Sequence, residues 1–290
     1  MRRILFCIIF FLCTLNLFAN ENTKFNKVLD KNGLRLNFKR ISLDLSDTVV
    51  KNAKEYQDSP YTSLNANDET IIKGTADIVL EFERIMYRWD NRVYANYGKS
   101  TVKDNMDGTK TVSETADELI FTSDYAIKLW KVKRADIGPF ASVAYQTEFT
   151  RDGIAPRNKI VRGKLGIKLF NNKFFDDLYI ANVMEFDLTY RNTISKYGLE
   201  VGASINYELR EGVEFKFNGY YRDYLTYSYY NSNDLEYDLN FSIRMDVHIT
   251  KILSLSPFYK FRQAKARGAK SYARNSNIGI SILYSDLFNL

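Results

Sequence analysis

Residues Leu235–Ile249 read LEYDLNFSIRMDVHI. The odd positions, Leu235, Tyr237, Leu239, Phe241, Ile243, Met245, Val247 and Ile249, are aliphatic or aromatic. The even positions are Glu236, Asp238, Asn240, Ser242, Arg244, Asp246 and His248. Side chains on a strand point alternately to its two faces, so one face here is apolar and the other polar and charged. A strand in a soluble sandwich is usually shorter, about five or six residues. One with lipid on one side and a wet lumen on the other needs the pattern over about ten residues. The stretch reads as a transmembrane β-strand.

The same alternation extends in both directions. Tyr197, Leu199, Val201, Ala203, Ile205 and Tyr207 interleave with Glu200, Ser204, Asn206 and Glu208. Arg210-Glu211-Gly212 turns the chain into Val213, Phe215, Phe217, Gly219 and Tyr221. Thr250-Lys251 leads to Leu253, Leu255, Tyr259 and Phe261, and the last strand carries Ile278, Ile280, Ile282 and Tyr284. Earlier strands fall at 119–129, 141–149, 161–169 and 178–190. The stretch 71–98 is too long for one span and divides at Glu81-Phe82-Glu83-Arg84. With Leu34–Leu45 first, the total is about twelve, an even number as barrels of this kind have. Ten strands behind a periplasmic segment is the alternative. Leu34–Leu45 slips phase after Phe38, which indicates a bulge. Pro257 is awkward in a closed sheet, which has no free edge.

Connection lengths supply an orientation. Short turns lie near 210–212, 250–251 and 131–136, and longer polar loops at 99–116, 150–159, 223–234 and 264–276. Outer-membrane barrels keep short turns in the periplasm and long loops outside. Counted back from Leu290, all the short turns fall on the periplasmic side. Hydrocarbon offers no hydrogen-bond partners, so strands with a lipid-facing side must close into a ring. A secreted soluble sandwich or lipocalin-like barrel, apolar face inward, is the rival architecture.

Composition agrees. Hydrophobic residues make up 45% of the chain, yet mean hydropathy is −0.33. The one long apolar run, Ile4–Ala19 behind Arg2 and Arg3, has the form of a signal peptide, with cleavage expected after Ala19. The expected division is signal peptide 1–19, periplasmic segment 20–33 and barrel 34–290. Cys7 and Cys13 both lie in the signal segment, so the exported chain carries no disulfide or thiolate metal site. Net charge is +6, but basic and acidic residues are interspersed, and no nucleic-acid motif is present.

The C-terminal Tyr284-Ser-Asp-Leu-Phe288-Asn-Leu290 resembles the last strand of bacterial outer-membrane β-barrel proteins, porin-like in architecture. Leu290 stands where a terminal Phe is more usual, and the aromatic role falls to Phe288. The resemblance implies a Gram-negative outer-membrane location, contact with its lipids and lipopolysaccharide, and recognition of the last strand by the barrel-assembly machinery. Trp89-Asp-Asn91 and Gln146-Thr-Glu-Phe149 faintly resemble uncharacterised members and imply no activity.

With the apolar face outward, Arg88, Arg92, Arg162, Lys164, Lys168, Glu185, Asp187, Glu200, Glu236, Asp238, Arg244, Asp246 and His248 are expected to line the lumen. The basic row Arg162, Lys164 and Lys168 should sit beside Glu185 and Asp187. Nearly balanced charges suit a passive channel for small hydrophilic solutes. The same charges paired across strands would suit a filled lumen. A closed barrel would act through its surface, and the tyrosine-rich loop offers Tyr224, Tyr227, Tyr229 and Tyr230 for recognition. An outer-membrane hydrolase is the third reading. His248 is the single histidine, and it is expected in the lumen near the periplasmic end. Outer-membrane phospholipases need their serine and histidine on the lipid face near the outer leaflet. No catalytic residues, cofactor or metal site are therefore expected. Asp104, Asn105, Asp107 and Gly108 hint at calcium but lack the distal glutamate of a calcium loop. Nothing in the chain fixes an oligomeric state.

Overall fold

The computed structural model describes residues 33–56, 64, 69–103, 110–132, 135–150, 156–172 and 174–290. The expected signal peptide, the segment 20–32 and the Asp104–Gly108 fragment lie outside them. The strands are β1 (Gly33–Lys51), β2 (Glu69–Glu83), β3 (Tyr87–Lys103), β4 (Lys110–Ile127), β5 (Trp130–Val132), β6 (Ala135–Thr147) and β7 (Lys159–Phe170). They continue with β8 (Asp177–Asp187), β9 (Ile194–Arg210), β10 (Val213–Tyr227), β11 (Leu235–His248), β12 (Leu253–Ala266) and β13 (Ala273–Asn289). Each pairs antiparallel with its sequence neighbour except β4 and β5, which both pair with β6; β1 also pairs β13, so the ring closes. The result is a closed twelve-stranded up-and-down barrel, with β5 as a short extra strand on β6. Since β1 and β2 are members of the ring, the ten-stranded alternative is excluded.

The apolar residues face out. Leu43, Leu165, Ile278, Ile280 and Ile282 are all more than half exposed. Asp44, Glu185, Glu200 and Asp246, on the opposite face, are fully buried. A soluble barrel has the reverse arrangement, so the lipocalin-like rival does not describe this fold. Both termini of the barrel lie at one end, where the Leu290 amide donates to the Leu34 carbonyl at 2.9 Å. The connections 84–86, 211–212 and 249–252 share that end, while Ala53–Tyr56, Asn158 and the connection 228–234 lie at the other.

Local departures from alternation have identifiable causes. The bulge expected after Phe38 is present as a register shift between Phe38 and Arg40. It places consecutive residues, Lys39 and Arg40, on the lumen side. The turn expected at 81–84 falls at 84–86, because Glu81 and Glu83 belong to β2 and reach Arg35 at 3.1 and 2.9 Å. Proline lacks the amide hydrogen that a ladder needs. Pro257 pairs with Ile280 on β13, and the β11 ladder is interrupted opposite it between Arg244 and Val247. Pro139 sits where the β4–β6 ladder stops at Phe140.

Candidate functional site

The barrel encloses a cavity of about 2550 Å³. Its lining runs from Glu211, Lys251 and Asp286 at the terminal end to Asp117, Glu148 and Asn158 at the far end. Parts of the wall are built in two layers. Carboxylates are embedded in the wall, and cations overlie them. Glu185 and Glu200, both fully buried, are held by Arg162, Lys164, Lys196 and Arg222 at 2.5–3.2 Å. Tyr179 Oη donates to Glu200 at 2.6 Å. Asp246 is likewise buried between Arg244 at 2.6 Å and Lys216 at 2.9 Å. Burying carboxylates in this way is tolerable only because each is paired and hydrogen-bonded.

Aromatic rings lie flat on the same wall over glycines. Tyr179 faces Gly202, where an added Cβ would approach the ring to 2.2 Å. Phe258 faces Gly279, where a Cβ would meet the ring at 2.8 Å and the Leu45 carbonyl oxygen at 2.3 Å. Lysines cap both rings, Lys164 at 5.3 Å from the Tyr179 centroid and Lys260 at 5.2 Å from that of Phe258.

Both ends of the lumen are narrowed. At the terminal end Arg88 on β3 reaches Asp177 on β8 at 3.6 Å, bridging strands that are not neighbours. Asn171, at φ 58° in the β7–β8 connection, donates to Glu83 at 2.7 Å and to Asp136 at 2.9 Å. Such left-handed backbone is tolerated by asparagine better than by most residues. At the far end Tyr56 and Leu64, which lie between β1 and β2, pack over residues of β10–β13. Tyr56 Oη donates to the Ser271 carbonyl at 2.8 Å and accepts from the Ala266 amide at 3.1 Å. Tyr56 and Leu64 pack with Tyr224, Tyr227, Leu235, Ala264, Ala266 and Ala273 in a buried apolar cluster.

Of the residues expected in the lumen, Arg88, Arg92, Arg162, Lys164, Lys168, Asp238, Arg244 and His248 line the cavity. Glu185, Glu200 and Asp246 sit behind the lining, buried beneath their cations. Two do not belong to the lining. Asp187 accepts from the Thr189 amide at 3.0 Å and closes the strand end. Glu236 is displaced by a bulge between Leu235 and Tyr237 and pairs with Lys265 at 3.3 Å. The same bulge buries Leu235 in the far-end cluster instead of leaving it on the outer face.

The basic row is only partly matched by the expected acidic one. Arg162 faces Glu185 directly. Lys164 faces Val183 and reaches on to Glu200, while Lys168 faces Tyr179 and reaches back to Asp124 at 2.6 Å. Tyr224 and Tyr227 are buried and so are not recognition surface. The Arg222 Nη1 donates to Tyr224 Oη at 3.0 Å, and Tyr227 Oη donates to the Leu235 carbonyl at 2.5 Å. Tyr229 and Tyr230 remain exposed.

His248 has a partner that sequence spacing alone did not single out. Its Nδ1 lies 2.8 Å from Ser254 Oγ, and its Nε2 lies 3.7 Å from Glu214 Oε1. Serine, histidine and glutamate thus meet, but Ser254 is fully buried. A nucleophile must present its oxygen to an incoming carbon, with anion-stabilising donors nearby. Ser254 presents none of its surface, so this geometry acts as a wall hydrogen bond. Among the described residues no three His, Asp or Glu side chains gather as a metal site.

No family model matches the chain, and no curated protein matches it. Among solved structures it is similar to an outer membrane channel from Pseudomonas putida F1, at 10% identity and TM-score 0.46, over 92% of this chain and 100% of that one. It is similar to the outer membrane channel DcaP of Acinetobacter baumannii, at 10% identity and TM-score 0.40, over 92% and 100%. It is also similar to outer membrane phospholipase A from Escherichia coli, at 10% identity and TM-score 0.43, over 90% and 94%. These neighbours are bacterial outer-membrane β-barrels.

Proposed function

We propose that the chain spans a bacterial outer membrane and passes small hydrophilic solutes passively through its lumen. The observation that carries this is the charged cavity running from one end of the ring to the other, inside a wall whose outer face is apolar. The outer face suits hydrocarbon and would be unfavourable in water. The short-turn end, with the chain termini, then faces the periplasm. Paired charges along the wall create a strong local field while leaving the wall stable, which suits selective passage. The outer-membrane lipids, the assembly machinery and small solutes are the partners this role requires. Swelling of proteoliposomes in isotonic sugars tests it. Faster swelling with small sugars than with large ones is expected, and no swelling above protein-free vesicles would refute it.

A second reading, a closed barrel acting through its surface, is favoured by the Tyr56–Leu64 cluster over the far end. In that case Tyr229 and Tyr230 are the side chains available to a partner. Replacing both by Ser would then abolish binding without altering the lumen.

A further inference from the structure

One part of the lumen wall carries more positive charge than its carboxylates can hold. The β1 bulge turns Lys39 and Arg40 inward. Beside them stand Lys73 on β2 and Lys260 on β12, also facing the cavity. Lys39 is matched by Asp77, Asp90 and Asp176, and the carboxylate at the centre of Arg40, Lys73 and Lys260 is Asp44, fully buried. It takes Arg40 at 2.6 Å, with Ser42 and Ser281 donating to the same oxygen. Lys260 comes no closer to it than 3.8 Å. The neutral Asn277 Oδ1, at 3.4 Å, is the acceptor for Lys73. Arg40, Lys73 and Lys260 converge on the Phe258 ring, at 5.8, 5.9 and 5.2 Å from its centroid. Around Glu185 and Glu200, by contrast, every cation has a carboxylate within 3.2 Å.

We propose that Arg40, Lys73 and Lys260, grouped around Phe258, form a binding site inside the lumen for a small oxyanion, a carboxylate or a phosphate. Two ammonium groups that share one distant carboxylate are poorly compensated as they stand, and an oxyanion accepts from both in charge-assisted hydrogen bonds. Such a ligand bridges Lys73 and Lys260 over the ring. Phe258, seated on Gly279, is buried beneath these cations, and their charged ends line the cavity where a ligand would meet them. The site rests on the channel reading only in requiring that solutes enter the lumen, and it specifies which solutes the lumen favours.

The test is equilibrium dialysis of the refolded full chain in detergent, with inorganic phosphate and citrate as separate probes. Saturable binding of at least one is expected, weakened about tenfold or more in K73Q/K260Q, the loss of roughly one charged hydrogen bond. Lys128 reaches Glu83 at 2.7 Å at the terminal end, away from Phe258, and K128Q serves as a control that should bind as the wild type does. Asp44 keeps Arg40 in the double variant, so no buried carboxylate is stranded. Should that variant fold poorly, K260Q alone carries the test. In bilayers under a salt gradient the wild type is expected to be anion-selective, with a shift toward cations in the double variant. Absence of saturable phosphate and citrate binding, or equal binding by K73Q/K260Q, overturns the site. A cation-selective wild type overturns it as well. Silent bilayers with intact, lysine-dependent binding would refute conduction and leave the site standing.

Discussion

Arg222 on β10 stands directly opposite Glu200 on β9, and its Nε donates to the glutamate Oε2 at 2.7 Å. The same guanidinium reaches Glu185 at 3.5 Å and Tyr224 Oη at 3.0 Å. One arginine therefore ties together two buried carboxylates and the base of the far-end cluster. Removing one partner of a buried pair leaves the other uncompensated, which costs about 3–5 kcal/mol. Glu200→Ala should lower the urea midpoint of the folded barrel by a corresponding amount, whereas Asp187→Ala should change it by less than about 1 kcal/mol. Equal effects would mean that the buried network does not hold this wall.

The outer face yields a second expectation. Leu165→Arg or Ile280→Arg should cost about 2–4 kcal/mol if the residue lies near the bilayer midplane. Ser242→Arg and Asn240→Arg, which face the cavity, should cost much less. The measurement is reversible unfolding in lipid vesicles. Comparable losses on the two faces would contradict a lipid-facing exterior.

Gly279→Ala should be costly although the change is one methyl group. The new Cβ would lie 2.3 Å from the Leu45 carbonyl oxygen and 2.8 Å from the Phe258 ring. Backbone cannot yield as a flexible side chain can, and overpacking of this kind costs about 1–3 kcal/mol. Unfolding midpoints measure the loss, and an unchanged midpoint would contradict the close approach of β13 to β1 at Gly279.

Much of the architecture is legible in alternation alone. Strand positions, the split into an apolar and a polar face and the bulge after Phe38 follow from which positions are apolar. The place of β1 and β2 in the ring and the outward direction of the apolar face come from the sheet itself. Partner identities do not, because stagger decides which residue faces which. Lys164 meets Val183 across the ladder and must reach Glu200. The phase slip after Phe38 marks the bulge, but only the registered sheet shows that it places Lys39 and Arg40 side by side in the lumen. Burial of Tyr224 and Tyr227 depends on Tyr56 and Leu64, contributed by a connection far away in sequence. The His248–Ser254 contact falls across a tight turn. Spacing alone gives no sign of it, since serines are frequent on the polar face of these strands.

Tyr56 offers a handle on the far end. Tyr56→Ala removes the hydroxyl that accepts from the Ala266 amide and donates to the Ser271 carbonyl, and it opens the apolar cluster. If Tyr56 and Leu64 restrict the mouth, this variant should pass larger sugars in the swelling assay than the wild type does. An unchanged size cut-off would place the restriction elsewhere, at the Arg88–Asp177 bridge.

Single-channel recording of the refolded chain in a planar bilayer tests passive conduction through the lumen most directly. Discrete current steps, linear in voltage and lowered by K73Q/K260Q when chloride carries the current, are the expected result. Bilayers that stay silent after insertion of barrel verified as folded would contradict it.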